Sequence, residues 1–380
     1  MNLLMICERF PPEVGGLATS GGRIANTLGQ LGYGVHVLAW SRQLPPGSVE
    51  TDKVEGITLH RMGRFSNWDL TLQHSLNVMD WLHTENQFDV TWGHYLQPAG
   101  FLAVMFARKA GLKSIVSARG NDVDQLMFPP GDFARLKWTL EGASIVTSVS
   151  AELAAKIRLI SGEDFEVSIL PNVVDLETFS PGEPEKTLRD SLGIADDEIV
   201  IGFSGELRHK KGLPFLPGAL AEVRQWKPAC LLVIGEIRAR EQSTLAGFAA
   251  EDPDTAKRII STGHLESPSD VAKHLHLCDL VLQPSVWDGM PNSLLEAMAC
   301  ENLVLASDAG GIPEVLTHEL NGAVISKNQL NHLGSAIRET LELPEDKRNE
   351  MRTAARKSVI ENFTDDHEKR ALETVIRSIN

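Results

Sequence analysis

Short apolar runs recur along the chain, separated by stretches in which apolar residues return every three or four positions. Leu3–Cys7, Val35–Trp40, Ile57–Arg61, Val90–Trp92, Ser114–Ser117, Ile145–Ser148 and Val167–Leu170 read as strands, with helical patterns such as Thr19–Leu31 and Pro98–Ala110 between them. A second series follows at Ile199–Ser204, Cys230–Ile234, Ile259–Thr262, Leu280–Gln283, Leu303–Ala306 and Gly322–Ile325. Strands that alternate with helices predict parallel α/β sheets. The turn-rich, weakly periodic segment Pro171–Pro184 divides the two series. The expected architecture is two Rossmann-like domains facing a central cleft, with ligands beyond the carboxyl ends of the strands.

Composition narrows this picture. A length of 380 residues suits two domains with real cores, and no low-complexity tract or long repeat interrupts them. The net charge of −15 argues against nucleic acid or an anionic membrane as a general partner. Its distribution is uneven: residues 1–172 carry −3 and the remainder −12, so an anionic ligand in the second half needs a local basic pocket. Four widely spaced cysteines, Cys7, Cys230, Cys278 and Cys300, show no metal-ligand spacing and read as buried thiols. The N-terminus reads as a first strand rather than a signal peptide, and no apolar run nears the ~20 residues of a membrane span. These features predict a cytoplasmic protein, monomeric or homodimeric, with no transmembrane segment.

The most informative segment is Pro284–Val315, PSVWDGMPNSLLEAMACENLVLASDAGGIPEV. Asp288 and Glu296 flank a Gly-Met-Pro-Asn-Ser turn that opens a helix, and Gly310, Gly311 and Glu314 follow. Amides at a helix start attract anions, whereas carboxylates accept from hydroxyls. Such a mixture suits a ligand with phosphates at one end and hydroxyls at the other. Ser293 and Glu296 also fit a capping box, with Leu294, Leu295, Ala297 and Met298 as core. That reading leaves Asp288, the glycine pair and Glu314 unexplained.

This segment resembles the acid-x7-acid element of the retaining glycosyltransferases of family 4, which have the GT-B fold. Asp288 and Glu296 stand at the two acidic positions. The first is Asp where the family usually has Glu, so its carboxylate reaches about 1.5 Å less far. The usual Gly-x-Pro before the next strand reads Glu301-Asn302-Leu303. The resemblance implies an acceptor-binding domain at 1–172, completed by a C-terminal helix at about 363–380 that crosses back to it. It implies a donor-binding domain at 173–362. It further implies transfer of a sugar with retention, without metal, from a UDP-, GDP- or ADP-linked donor that is a substrate rather than a cofactor. The acceptor would be a small molecule, a glycan or a lipid-linked sugar, with peripheral membrane contact open.

Residue roles follow from the same resemblance. Gly15 and Gly16 after the first strand would lie against the donor diphosphate. Asp288, with the backbone of Gly289, Met290, Pro291, Asn292 and Ser293, would orient the sugar, and Glu296 would hold the ribose. Gly263-His264-Leu265 would meet the base edge. In Gly205-Glu206-Leu207-Arg208-His209-Lys210-Lys211-Gly212 the family's arginine is replaced by Glu206. Arg208, two residues on and on the same face of an extended segment, is expected to replace it beside Lys211. Where many relatives carry His, this chain has Arg119 in Ala118-Arg119-Gly120-Asn121-Asp122. An arginine stays protonated and cannot act as a base, which suits a same-face displacement. A structural pairing of Arg119 with Asp122 or Asp124 is the other reading. His94 and Asp122 are acceptor-side candidates, and loops Trp68–Gln73 and Leu126–Trp138 are candidate acceptor walls. Two other activities fit the pattern less well: a nucleotide-sugar epimerase on the same fold, and a non-catalytic sugar-nucleotide-binding partner.

Overall fold

The computed structural model describes residues 1–13, 15–120 and 122–379. Val14 and Asn121, which fall in two of the candidate loops, and Asn380 lie outside the described residues. The chain divides into two compact units, Met1–Asn172 joined by the C-terminal residues from Glu368 on, and Val173–His367.

The first unit is built on eight strands: β1 (Asn2–Cys7), β2 (Gly34–Ser41), β3 (Val49–Val54), β4 (Ile57–Gly63), β5 (Val90–His94), β6 (Lys113–Ala118), β7 (Ile145–Ser148) and β8 (Ser168–Ile169). Their order is β3-β4-β2-β1-β5-β6-β7-β8. All pairings are parallel except β3 with β4. β3 is the strand that the apolar pattern misses. Its sequence, VETDKV, is exposed at nearly every position, because an edge hairpin strand has little to bury.

Period-two alternation sets the packing of β1. Leu3, Met5 and Cys7 join one core and Leu4 and Ile6 the other, so both faces of the sheet are covered. The first of these cores includes Leu372, Val375, Ile376 and Ile379 from the C-terminal helix Asp365–Arg377 and the residues just after it. That helix lies against helix Gly16–Gln30. Arg23 Nε sits 3.0 Å from each oxygen of Glu368, a fully buried carboxylate.

The second unit has six strands, β9 (Ile199–Ser204), β10 (Ala229–Ile234), β11 (Ile259–Ser261), β12 (Leu280–Gln283), β13 (Val304–Ser307) and β14 (Ala323–Ile325). The order is β11-β10-β9-β12-β13-β14, parallel throughout. Phe203, Leu231, Leu282 and Leu305 pack with Leu216, Leu220 and Val223 of helix Leu216–Trp226 and with Leu333 and Ile337 of helix Leu333–Glu342. The strand order reverses outward from β9, with β10 on one side and β12 on the other. Ligands of open α/β sheets bind at the carboxyl ends beside such a switch point. Among the described residues no helix is long and apolar enough to cross a membrane.

Candidate functional site

The loops leaving β9 and β12 are locked together. Val286 N–H donates to the Lys210 carbonyl at 2.8 Å. Gly212, at φ 92°, backs onto Pro284 so closely that a side-chain carbon would strike the Pro284 carbonyl. Lys211 is thereby delivered to Asp288, and Nζ donates to Oδ2. The same oxygen accepts from Ser285 Oγ at 3.3 Å, and Oδ1 accepts from the Gly289 amide at 3.0 Å. Behind Ser285 the bonds continue, with Gln283 Nε2 donating to Ser285 Oγ at 3.2 Å and Ser293 Oγ donating to Gln283 Oε1 at 3.1 Å. A continuous polar chain thus joins Lys211 to the start of helix Asn292–Ala299.

Ser293 is therefore not a cap. The residue preceding the helix is Pro291, which offers no side-chain cap, and Ser293 lies inside the first turn with its hydroxyl committed to Gln283. The capping-box expectation fails because the Ser293 hydroxyl donates to Gln283 at the end of β12 instead of accepting from a local amide. Asn292 Oδ1, at the same helix start, is buried with no hydrogen-bond partner among the described residues. Met290 is buried and Glu296 half-buried. Leu294, Leu295, Ala297 and Met298 are core as expected.

The glycine pair of this segment packs against the Asp288–Gly289 loop. Gly311 N–H donates to the Gly289 carbonyl at 2.6 Å. Gly310, at φ 57°, lies flat against the Asp288 carbonyl where no side-chain carbon fits. Glu314 is exposed in the short turn Ile312–Glu314.

Burial would raise the Asp288 pKa, but Lys211, Lys210, the Lys211 hydrogen bond and the Gly289 amide outweigh it and hold the carboxyl below its usual range. Lys210 shows the converse. Burial pushes its ammonium down to about 8; Asp288 pulls it up, while Lys211, Arg208 and Arg238 push it further down.

Arg238 is the residue the sequence reading missed. Glu206, at the family's arginine position, accepts from Arg238 Nε at 2.7 Å and from Nη2 at 3.1 Å. Arg208 Nε lies 3.1 Å from Glu206 Oε2, out of line for a hydrogen bond. The cause is a repeat of four residues. Gly205-Glu206-Leu207-Arg208 directly follows β9 and Gly235-Glu236-Ile237-Arg238 directly follows β10. The two strands pair in register from Ala229↔Ile199 to Ile234↔Ser204, and a parallel bridge joins Leu207 to Ile237. Both arginines therefore emerge at one edge. The recurring tetrapeptide thirty positions apart was the available signal.

Gly263, His264 and Leu265 follow β11, the neighbour of β10, at the same end of the sheet. Gly263 N–H donates to Ser261 Oγ at 3.3 Å, and its carbonyl accepts from Thr262 Oγ1 at 2.8 Å.

In the first unit Gly15 precedes and Gly16 opens helix Gly16–Gln30, both exposed. The remaining candidates there are buried and hydrogen-bonded within the unit. Arg119 is 9 % exposed, and its guanidinium donates to the Leu170 carbonyl at 2.9 Å and to Asn172 Oδ1. It pairs with neither Asp122 nor Asp124. Asp122, fully buried, instead accepts the amides of Arg119 at 3.1 Å, Gly120 at 3.2 Å and Leu96 at 3.4 Å. Burial lifts its carboxyl to about 6 against the pull of those amides. His94 is buried beneath helix Gly16–Gln30, with Nε2 2.9 Å from Ser20 Oγ. Burial and the nearby Arg119 and Arg23 hold it well below its usual pKa, hence neutral.

Family models match the chain in two blocks. One described as glycosyl transferases group 1 covers residues 184–358, and one described as a glycosyl transferase 4-like domain covers residues 15–172. The D-inositol 3-phosphate glycosyltransferase of Segniliparus rotundus is 26% identical over 237 residues, 62% of this chain and 52% of that protein. The GDP-mannose-dependent monoacylated alpha-(1-6)-phosphatidylinositol monomannoside mannosyltransferase of Corynebacterium glutamicum is 27% identical over 270 residues, 68% of this chain and 69% of that one. The chain spans about half the length of the first curated relatives it matches. The Anabaena protein HepE, solved in complex with UDP-glucose, superposes with a TM-score of 0.80 at 18% identity over 100% of both chains. That likeness carries the fold, two parallel α/β sheets of the GT-B type.

Proposed function

The chain belongs to the group 1 glycosyl transferases with a glycosyl transferase 4-like N-terminal half, and on that premise we propose that it moves a sugar from a nucleoside diphosphate to an acceptor hydroxyl with retention. The observation that carries the reading is the Lys211–Asp288 pair, held by the chain through Ser285, Gln283 and Ser293 at the carboxyl end of β9 and β12. Arg208, Lys210 and Arg238 stand beside it.

In the transfer the bond from the anomeric carbon to the phosphate oxygen breaks, and its electron pair leaves with the diphosphate. The acceptor oxygen bonds to the same face of the sugar, and its proton passes to the departing phosphate oxygen. Charge grows on the diphosphate, and cations fixed before reaction stabilise that growth without reorganising. Asp288 acts in this scheme by aiming Lys211. Arg238 and Arg208, anchored on Glu206, supply the guanidinium that the family's arginine would supply. Asn292 Oδ1 is a buried acceptor without a partner among the described residues, and Glu296, one turn further on, is the proposed partner of the ribose. Gly263-His264-Leu265 is the proposed edge for the base. Arg119 and Asp122 shape their loop rather than react.

Similar proteins differ in donor: the Corynebacterium protein is named for GDP-mannose and the Anabaena structure holds UDP-glucose. The test is incubation of the purified chain with UDP-, GDP- and ADP-sugars, following nucleoside diphosphate release and the products. Release by the native chain that Lys211→Ala abolishes supports the reading. Interconversion of the donor sugar without release supports an epimerase, binding without turnover a non-catalytic partner, and either result overturns the proposal.

A further inference from the structure

Gln283 closes β12 and is the only polar residue of that strand, LVLQ, which is buried at every position. Leu280 and Leu282 enter the core of the second unit, so the two-residue period turns Gln283 to the opposite face. Gln283 is 2% exposed. A buried amide is unfavourable unless its two ends are hydrogen-bonded, and a leucine of similar size would carry no such penalty. Both ends are used here, each on a hydroxyl: Oε1 accepts from Ser293 at 3.1 Å and Nε2 donates to Ser285 at 3.2 Å. The backbone beside it is pinned as well, because Ser307 Oγ at the end of β13 donates to the Ser285 carbonyl at 2.5 Å.

The hydrogens of this chain run one way. An amide oxygen only accepts, an amide nitrogen only donates, and a hydroxyl has a single hydrogen to give. Ser293 gives its hydrogen to Gln283, and Gln283 gives one to Ser285. The Ser285 hydrogen is left for Asp288 Oδ2, 3.3 Å away. An ionised carboxylate can only accept, so Asp288 ends the chain and takes Lys211 Nζ on the same oxygen. With the amide turned over, the two hydroxyls would still satisfy Gln283. The Ser285 hydrogen would then go to Oε1, and Asp288 would lose it. The charge of Asp288 therefore selects the amide orientation, and that orientation in turn holds Asp288.

We infer that Gln283 is a positioning residue for the transfer: through Ser285 it fixes the Asp288 oxygen that aims Lys211. It touches no reacting atom itself. The inference rests on the reading of Lys211 and Asp288 as the transfer site. A slightly misaimed cation loses most where charge is growing, so removing Gln283 should lower kcat more than it raises the donor KM.

The experiment makes the direction of the chain depend on pH. Gln283→Glu is nearly isosteric. As a carboxylic acid the new side chain accepts from Ser293 and donates to Ser285, as the amide does; once ionised it only accepts and draws the Ser285 hydrogen away from Asp288. Burial and the Asp288 charge raise the pKa of a carboxyl placed there, so the change should fall at about pH 5–8. Nucleoside diphosphate release is followed with saturating UDP-glucose, GDP-mannose and ADP-glucose. The kcat of Gln283→Glu should approach the native value at the acid end and fall about tenfold or more toward the alkaline end, a limb the native profile lacks. The donor KM should change less than about threefold. Gln283→Leu and Ser285→Ala should each lose about as much at every pH. Their double variant should lose no more than either, since all withhold the same hydrogen. Circular dichroism checks each fold; if Gln283→Leu fails to fold, Ser285→Ala and Gln283→Glu decide. A kcat of Gln283→Glu that follows the native profile, native kcat in the Leu and Ala variants, or additive losses in the double variant would overturn the inference and leave the transfer reading standing. No release by the native chain from any of the three donors would instead remove that reading, and this inference with it.

Discussion

Glu206 grips Arg238 at two points, 2.7 Å at Nε and 3.1 Å at Nη2, across a gap of thirty-two residues in the chain. The carboxylate stands where the family resemblance leads one to expect an arginine. The charge this chain omits on one strand end is returned from the next.

If that exchange serves the diphosphate, Arg238→Ala should weaken nucleoside diphosphate binding by about tenfold while changing nucleoside affinity little. Glu206→Gln should do the same more mildly, by loosening both arginines. Both side chains of the pair are about a third exposed, so neither change should cost much stability. Calorimetry with UDP and uridine, or the matching pair for whichever base binds, checks this. Equal losses for nucleoside and diphosphate would count against it.

Lys211→Met should cut turnover by about 10²–10³ and should also lower stability by about 1–3 kcal/mol, because it strands the half-buried Asp288 carboxylate. Adding Asp288→Asn should recover most of the stability and none of the turnover. Denaturant melts beside kcat separate the two effects. If the double variant regains activity, Lys211 is only a structural partner.

Lys210 gives a pH dependence. Its ammonium, depressed to about 8 by burial, is charged below that pH and neutral above it. Diphosphate favours the charged form, so the donor Kd should rise as pH passes from 7 to 9. Lys210→Arg, charged throughout, should flatten the profile over the same range. Parallel titrations of the two proteins at several pH values test this.

Gly310→Ala should be among the most damaging small changes in the second unit. The added carbon would collide with the Asp288 carbonyl, and φ 57° is strained for alanine. The loop must move, taking Gly289 and Asp288 with it. The expected outcome is a lower Tm together with loss of turnover, measured by thermal melting and an initial-rate assay. Ala at Gly218, where a side-chain carbon meets nothing, is the control.

Deleting the chain from Asp365 onward should unfold the first unit. It removes Leu372, Val375, Ile376 and Ile379 from the core around Leu3, Ile24 and Leu28. At about 1.5–3 kcal/mol for each buried side chain, that loss is comparable to the whole stability of a typical domain. Glu368→Ala should cost less, chiefly by leaving Arg23 without its partner. Limited proteolysis and circular dichroism of the truncated chain give the answer.

The strands were legible where they are buried on both faces, as in Ile199–Ser204, because an apolar run has few other uses in a soluble fold. β3 was not, since VETDKV buries almost nothing and is held by its hairpin register with β4. At the site, Asp288 and Lys211 were readable from the motif, but their mutual contact was not, being set by how Gly212 packs on Pro284. Ser293 misled for a related reason: a local signature cannot reveal that the loop folds its hydroxyl back onto Gln283 at the end of β12. Arg119 looked reactive because of where it stands in the chain. Its guanidinium turns inward to Leu170 and Asn172, a direction that only the folded unit defines.

The return of the C-terminal helix to helix Gly16–Gln30 also fixes an order of events during synthesis. Ile24 and Leu28 share a core with residues 372–379, and the whole second unit is translated in between. At about 5–20 residues per second, that apolar face waits on the order of 20–70 s for its cover. The second unit can close before the first is finished. A nascent chain stalled ahead of Glu368 would thus present a complete second unit and an open hydrophobic flank, the state in which a holding chaperone would find most to bind.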